Sequence, residues 1–213
     1  MKKALLTLSI ISVMMLTSWE IFCQNQTVTI GNKVWMTKNL DVDKFRNGDP
    51  IPQVRSVSEW EKAKANKQPA WSYYEYDSDN GAEYGKLYNW YAVNDTRGLA
   101  PNGYHIPSYD EWEALKTYLG EGVAEKLKSN YDWYNIYGRS CNGTNESGFS
   151  GLPGGYCTES GINGMRGIET RWWSSTVSMM GLAEAFSLRG NSFYWESISK
   201  QFEMYSVRCL KDY

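Results

Sequence analysis

His105 is the only histidine, so imidazole chemistry, as general base or metal ligand, would have to centre on it. It stands in the block GYHIPS without a second histidine, and its ring is expected to bridge backbone groups at the start of the next helix. Asp77, Asp79, Asn80 and Glu83 gather oxygen donors of the hard type that calcium takes. Their spacing is not the alternate-position spacing of an EF-hand. A solvated acidic loop is therefore the expectation, with a calcium site as the alternative. Cys141, Cys157 and Cys209 follow Cys23, and none belongs to a CxxC pair. Cys141 and Cys157 are nearest in sequence and form the candidate disulfide; an odd count leaves one thiol over. No GxSxG elbow, zinc motif, Walker loop or dinucleotide-binding glycine pattern occurs. The expectation is a protein without enzymatic turnover and without a cofactor.

The remaining chemistry is aromatic. Ten Trp and 16 Tyr stand against 6 Phe, a bias toward rings that carry a polar handle. Such rings can pin irregular loops or stack on sugars and fill protein hot spots. Trp133, Tyr134, Tyr137, Arg189, Tyr194 and Trp195 fall in less regular segments and are the candidate ligand-binding face. Trp172 and Trp173 are adjacent in a β-type run, so they should pack on opposite faces of one strand.

Those residues need a frame. Val28–Ile30 and Val34–Met36 flank Gly31-Asn32 and read as a hairpin. Ser56 and Glu59 open a short helix through Lys64. Residues 83–93 suggest a short helix or turn. Ser108 and Glu111 cap the clearest helix, with Trp112, Leu115, Tyr118 and Leu119 on one face and Gly120 at its end. A second short helix spans Val123 to Lys128. Beyond residue 130 glycine is frequent and β-type runs are brief: Arg171–Thr176, a hairpin about Arg189-Gly190-Asn191, and a final strand, Ser206–Lys211. The prediction is one α+β domain, helices early and irregular β late, over residues 24–213.

Residues 1–23 read as a signal peptide. Lys2 and Lys3 precede an apolar run too short for the roughly 20 residues that span a bilayer. Cleavage is expected after Cys23; the alternative makes Cys23 a lipidated cysteine. Removing two lysines and Glu20 moves the formal charge from −2 to −3. That field disfavours nucleic acid as a partner, and no transmembrane span is expected after processing.

IGNKVWMTKNL (30–40), YGKLYNWYAV (84–93), APNGYHIPSYDEWEAL (100–115), AEKLKS (124–129), GTNESGFSGLPGGY (143–156), RWWSST (171–176) and SVRCLKD (206–212), in this order, resemble the Fibrobacter succinogenes major paralogous domain. The resemblance implies a C-type-lectin-like α+β fold related to the formylglycine-generating-enzyme-like branch. It also implies adjacent termini, two flanking helices, small antiparallel sheets and long loops in the C-terminal half. Family members often carry a cysteine where this chain has Ala100, so the bridge that the resemblance implies to Cys209 cannot form. The calcium and sugar motifs of true C-type lectins are missing. The resemblance implies an exported or surface protein, and the aromatic loops of the C-terminal half make a binding module for an extracellular polysaccharide or protein the leading expectation. A structural or adhesion component of the envelope, and a degenerate enzyme of the formylglycine-generating type, are the alternatives.

Overall fold

Two residues, Gly31 and Asn32, turn the chain between strands β1 (Thr27–Ile30) and β2 (Lys33–Met36), which pair antiparallel with Ile30 opposite Lys33. Gly31 sits at φ +63°, where a side chain would strain the turn. The computed structural model describes residues 26–198 and 203–213. The expected signal peptide and Cys23 lie outside those residues.

Ser56 caps helix α1 (Val57–Ala65) by accepting from the Glu59 amide, while the Glu59 carboxylate reaches back to the Arg55 amide. Strand β3 (Trp71–Ser72), helix α2 (Gly81–Tyr84), strand β4 (Leu87–Asn89), helix α3 (Trp90–Val93) and strand β5 (Tyr104–His105) follow. The Leu87–Asn89 strand replaces part of the helix or turn expected over 83–93, because β4 is drawn between β3 and a later strand. Ser108 and Glu111 form the full reciprocal cap of helix α4 (Tyr109–Leu119), and Gly120 ends it at φ +64°. Helix α5 spans Val123–Leu127.

The second half holds β6 (Tyr156–Cys157), β7 (Asn163–Gly164), β8 (Glu169–Val177), β9 (Ala183–Arg189), β10 (Ser192–Ile198), β11 (Met204–Tyr205) and β12 (Leu210–Lys211). Three antiparallel sheets result, in the orders β1-β2-β12-β5, β10-β9-β8 and β3-β4-β11-β6-β7. The first and last strands share the first sheet, where Leu210 pairs with both Trp35 and His105. The molecule is mixed α and β, with few helices and several small sheets.

Strand β8 is buried on both faces. Trp172 joins Trp35, Trp112, Phe149 and Phe186 on one side; Trp173 joins Trp90 and Tyr205 on the other. Trp112 of α4 stacks on Phe186 at 5.5 Å and on Trp172 at 5.9 Å. A third cluster holds Trp60, Val54, Leu87, Cys157 and Met204.

The final strand departs from expectation. Ser206–Lys211 is not one continuous strand: the paired segments are Met204–Tyr205 and Leu210–Lys211, and between them the Val207 and Cys209 carbonyls accept from the Leu40 and Met36 amides. The Cys141–Cys157 disulfide is not formed. Cys141 lies against the cluster of Trp112 and Trp133, Cys157 sits in the cluster of Trp60, and all three described cysteines are free thiols. Cys209 shares a core cluster with Ala100. Burial pushes both the Cys157 and Cys209 thiols up to about 12.

Candidate functional site

Strand β8 begins with Glu169-Thr-Arg171-Trp-Trp, and the pleat puts Glu169, Arg171 and Trp173 on one face. Register continues that face across the sheet: Glu169 opposite Arg189, Arg171 opposite Ser187, and Ser187 opposite Tyr194 of β10. One end of the face is therefore charged; the other, with Trp173, Ala185 and Ala183, is core. Strand β11 is laid along β8 by Ser206, whose amide donates to the Arg171 carbonyl at 3.1 Å. That places Glu203 and Tyr205 beside the Arg171 side chain.

Arg171 is the hub. Its Nε donates to Glu169 Oε1 at 2.6 Å and its Nη1 to the Tyr205 oxygen at 3.2 Å. Glu196 lies 3.2 Å from Nη1, and Glu203 3.8 Å. The guanidinium stacks on Tyr156, 4.0 Å from the ring centroid. Tyr205 in turn donates its hydroxyl to Glu203. Burial works against the Arg171 charge, but Tyr205 and Glu169 outweigh it and hold the guanidinium above its ordinary value. Burial, then Glu203, drives the Tyr205 phenol far up, so it stays protonated.

Over this floor opens a cleft of about 630 Å³, lined by Arg171, Glu203, Tyr156, Glu61, Lys64 and the segment 158–160. Its walls are stapled together. The Glu159 carbonyl accepts from Trp60 Nε1 at 3.2 Å and from Lys64 Nζ at 3.0 Å, tying the turn to α1. Tyr76 donates to the Gly161 carbonyl at 2.7 Å. Gly161 has φ +78°, and a Cβ there would stand 2.8 Å from Trp60. Only glycine fits that turn. The arrangement offers fixed donors and acceptors with little ordering left to do on binding.

The six residues expected to form one binding face do not do so. Trp133 is 0% exposed; its indole donates to Ser129 Oγ at 3.1 Å and the Gly151 carbonyl at 3.0 Å. It belongs to the core, not to a surface. It anchors a loop whose tip carries Tyr134 and Tyr137, the latter 81% exposed, on a turn held by Asn135. Tyr194 and Trp195 are neighbours on β10 and so point to opposite faces. Trp195 packs edge-on against Tyr109 at 5.6 Å. Tyr194 and Arg189 fall beside the Arg171 cluster: burial, then Glu169, raises the Tyr194 phenol, and Arg189 Nη1 lies 3.6 Å from Glu169 Oε2.

The four calcium candidates are not assembled either. Asp77 caps the Asp79 amide. Asn80 Oδ1 accepts from Arg166 Nη1 at 2.5 Å, so a guanidinium already supplies the positive charge. Glu83 is turned toward Asp132; burial and that neighbour raise its carboxyl. Among the described residues no group of three or more His, Cys, Asp or Glu could hold a metal ion. His105 bridges two carboxylates, Asp212 at 2.7 Å and the helix-capping Glu111 at 3.1 Å, rather than backbone groups.

Glu169, Arg171, Glu196 and Glu203 were not singled out from the sequence. The signal was available: the charged pair Glu169/Arg171 and the polar pair Tyr194/Glu196, each two apart inside a β-type run, share a face with tryptophan-rich core.

The family model described as the Fibrobacter succinogenes major domain matches residues 28–211 of this chain. No curated protein and no solved structure matches it. Among the described residues no helix is long and apolar enough to cross a membrane.

Proposed function

We propose that this chain, which belongs to the Fibrobacter succinogenes major domain family, is an exported binding module without turnover of its own. Its ligand, part of an extracellular polysaccharide or protein, seats in the cleft over Arg171. The observation that carries this reading is the cleft itself, about 630 Å³, within the roughly 300–1,000 Å³ of small-ligand sites and floored by charges that neighbours already hold in place. The strongly shifted groups around it, Tyr205 and Cys157, are buried and protonated, which suits a recognition surface rather than a nucleophile. We read the fold as C-type-lectin-like, supported by the shared sheet of β1, β2 and β12.

A second reading, an adhesion component without a discrete pocket, draws on one observation: Tyr134, Ile136 and Tyr137 are exposed together on one short loop. An array of extracellular glycans and proteins, probed with the chain and with Ser160→Trp, separates the two. Ser160 is exposed at the cleft, so the indole blocks the mouth without entering the core. Loss of the array signal with Ser160→Trp, and its retention with Tyr137→Ala, supports the cleft. The reverse pattern supports the adhesion loop.

A further inference from the structure

The end of helix α1 contributes to two clefts. Lys64 lines the one over Arg171; three residues on, Lys67 lines another of about 430 Å³, with Pro69, Trp90, Tyr91, Asn94 and Thr96 among its walls. Buried Asn89 builds this second cleft. Its Oδ1 accepts from the Ala92 amide at 3.0 Å, which starts α3, and from the Ala70 amide at 3.0 Å, while its Nδ2 donates to the Gln68 carbonyl at 2.8 Å. One side chain thus clamps the 68–70 segment to α3 and brings Pro69 into one cleft with Trp90 and Tyr91. Behind them Trp90 packs on Trp173, ring centroids 5.4 Å apart.

Tyr91 is turned the wrong way for a surface tyrosine. The residue is half-buried, yet its hydroxyl oxygen is fully buried and has no hydrogen-bond partner among the described residues. Burial alone raises the phenol. A tyrosine at a surface ordinarily buries its ring and keeps its hydroxyl wet or paired. Here the hydroxyl is sealed in unpaired and the side chain brings ring carbon to the cleft. Both ends are poorly served until something covers the ring, and an unsatisfied buried group of this kind calls for a reason.

The rim is polar and uncommitted. Both Asp95 carboxylate oxygens are taken by Arg97, through its amide at 3.0 Å, Nε at 2.9 Å and Nη2 at 2.8 Å. The side chains of Lys67, Asn94 and Thr96, by contrast, are exposed and make no hydrogen bond or ion pair among the described residues. An amide, a hydroxyl and an ammonium around a patch of ring carbon match a ligand with an apolar face and hydroxyls at its edge. A pyranose with equatorial hydroxyls is built that way, because its C–H bonds form the two faces. A proline-rich peptide would also cover the ring, but its backbone offers the rim only carbonyl acceptors.

We propose that this cleft is a second binding site, one that takes a pyranose with equatorial hydroxyls, as in a β-linked glucan or xylan. The sugar stacks on Tyr91, and its hydroxyls are held by Asn94, Thr96 and Lys67. The site does not depend on the Arg171 cleft.

Isothermal titration of the full chain with cellohexaose, xylohexaose and a hexaproline peptide tests it. The expected result is binding of a hexasaccharide that weakens about tenfold or more in Tyr91→Ala, as for other aromatic anchors. Tyr91→Phe keeps the ring and removes only the unpaired hydroxyl, so it should bind as the parent does and unfold at the same temperature or higher. Asn94→Ala, at an exposed position, should weaken binding about threefold and gives the same information if Tyr91→Ala fails to fold. Ser160→Trp, in the other cleft, should leave hexasaccharide binding unchanged. Undiminished binding in Asn94→Ala, or in a folded Tyr91→Ala, overturns the proposal, as does loss of binding in Tyr91→Phe. Loss with Ser160→Trp but not with Tyr91→Ala moves the sugar to the Arg171 cleft, overturning this site and leaving that reading standing. Binding of hexaproline alone overturns the sugar class in favour of a peptide, and binding of no probe overturns the site. The array result with Ser160→Trp decides the Arg171 cleft separately.

Discussion

Two arginines of this molecule are drawn out of water, Arg208 fully and Arg171 in part, and their surroundings differ in kind. Arg208, 1% exposed, donates to the carbonyls of Met36 and Phe149 at 3.0 and 2.8 Å and to Asn39 Oδ1 at 3.0 Å. Its guanidinium lies 4.3 Å from the Phe149 ring centroid. Among the described residues every acceptor it meets is neutral, and burial brings it down to about 9. Arg171 instead sits among carboxylates at the bottom of an open cleft. A sealed cation satisfied by carbonyls ties the end of the chain to the first sheet and to the loop before β6. A cation surrounded by carboxylates and reached by solvent leaves a charged surface for a ligand. Burial alone does not distinguish a structural arginine from a site arginine; the charge of its partners and the access to water do.

The largest expected effect is on the sealed side. Arg208→Ala should destabilise the fold by about 3–5 kcal/mol, since it opens a cavity and leaves the Met36 and Phe149 carbonyls unpaired. Urea unfolding reads this, and a loss under about 1 kcal/mol would break the contrast. On the open side, Arg171→Met should cost about 2–3 kcal/mol because Glu169 remains buried beside it without its main partner. Glu169→Gln in the same chain should recover much of that, and a double-mutant cycle with no coupling would place the hub elsewhere.

Alkaline pH sharpens the comparison. The Cys157 and Cys209 thiols rise from 9.0 in the unfolded chain to about 12 when folded. Between those values the folded state holds more protons, so stability falls as pH rises, by on the order of 1 kcal/mol per pH unit per thiol. Arg208, shifted down to about 9, works in the opposite sense above that pH. Two thiols against one guanidinium leave a net fall, joined by the raised Tyr88 and Tyr205 phenols. Urea midpoints at about pH 8 and about pH 10.5 should show it, and Cys157→Ala/Cys209→Ala should flatten the slope. A midpoint that does not move contradicts this balance. The smallest effect belongs to the exposed loop: Tyr137→Ala should change stability by no more than about 0.5 kcal/mol, a value thermal unfolding can bound.

Much of the frame was legible because local signals decide it. The Gly31-Asn32 hairpin, the Ser108/Glu111 cap and the strands about Arg189-Gly190-Asn191 each follow from a few adjacent residues. Trp172 and Trp173 pack on opposite faces as period two requires. The site was less legible because its members come from α1, β6, β8, β10 and β11, and only register and sheet order bring them together. Trp133 was misplaced because an irregular segment can still fold back on the core, and composition does not say which of its rings turns inward. Arg208 could not be recognised from a strand-like run, since nothing local tells a buried arginine from an outward one.

Hydrogen–deuterium exchange of the full chain, with and without a ligand taken from the array, tests the central claim most directly. The account predicts added protection at Glu61–Lys64 and Tyr156–Ser160, the two walls of the cleft, with the Tyr134–Tyr137 loop unchanged. Protection confined to the Tyr134–Tyr137 loop, with the cleft walls unaffected, would contradict it.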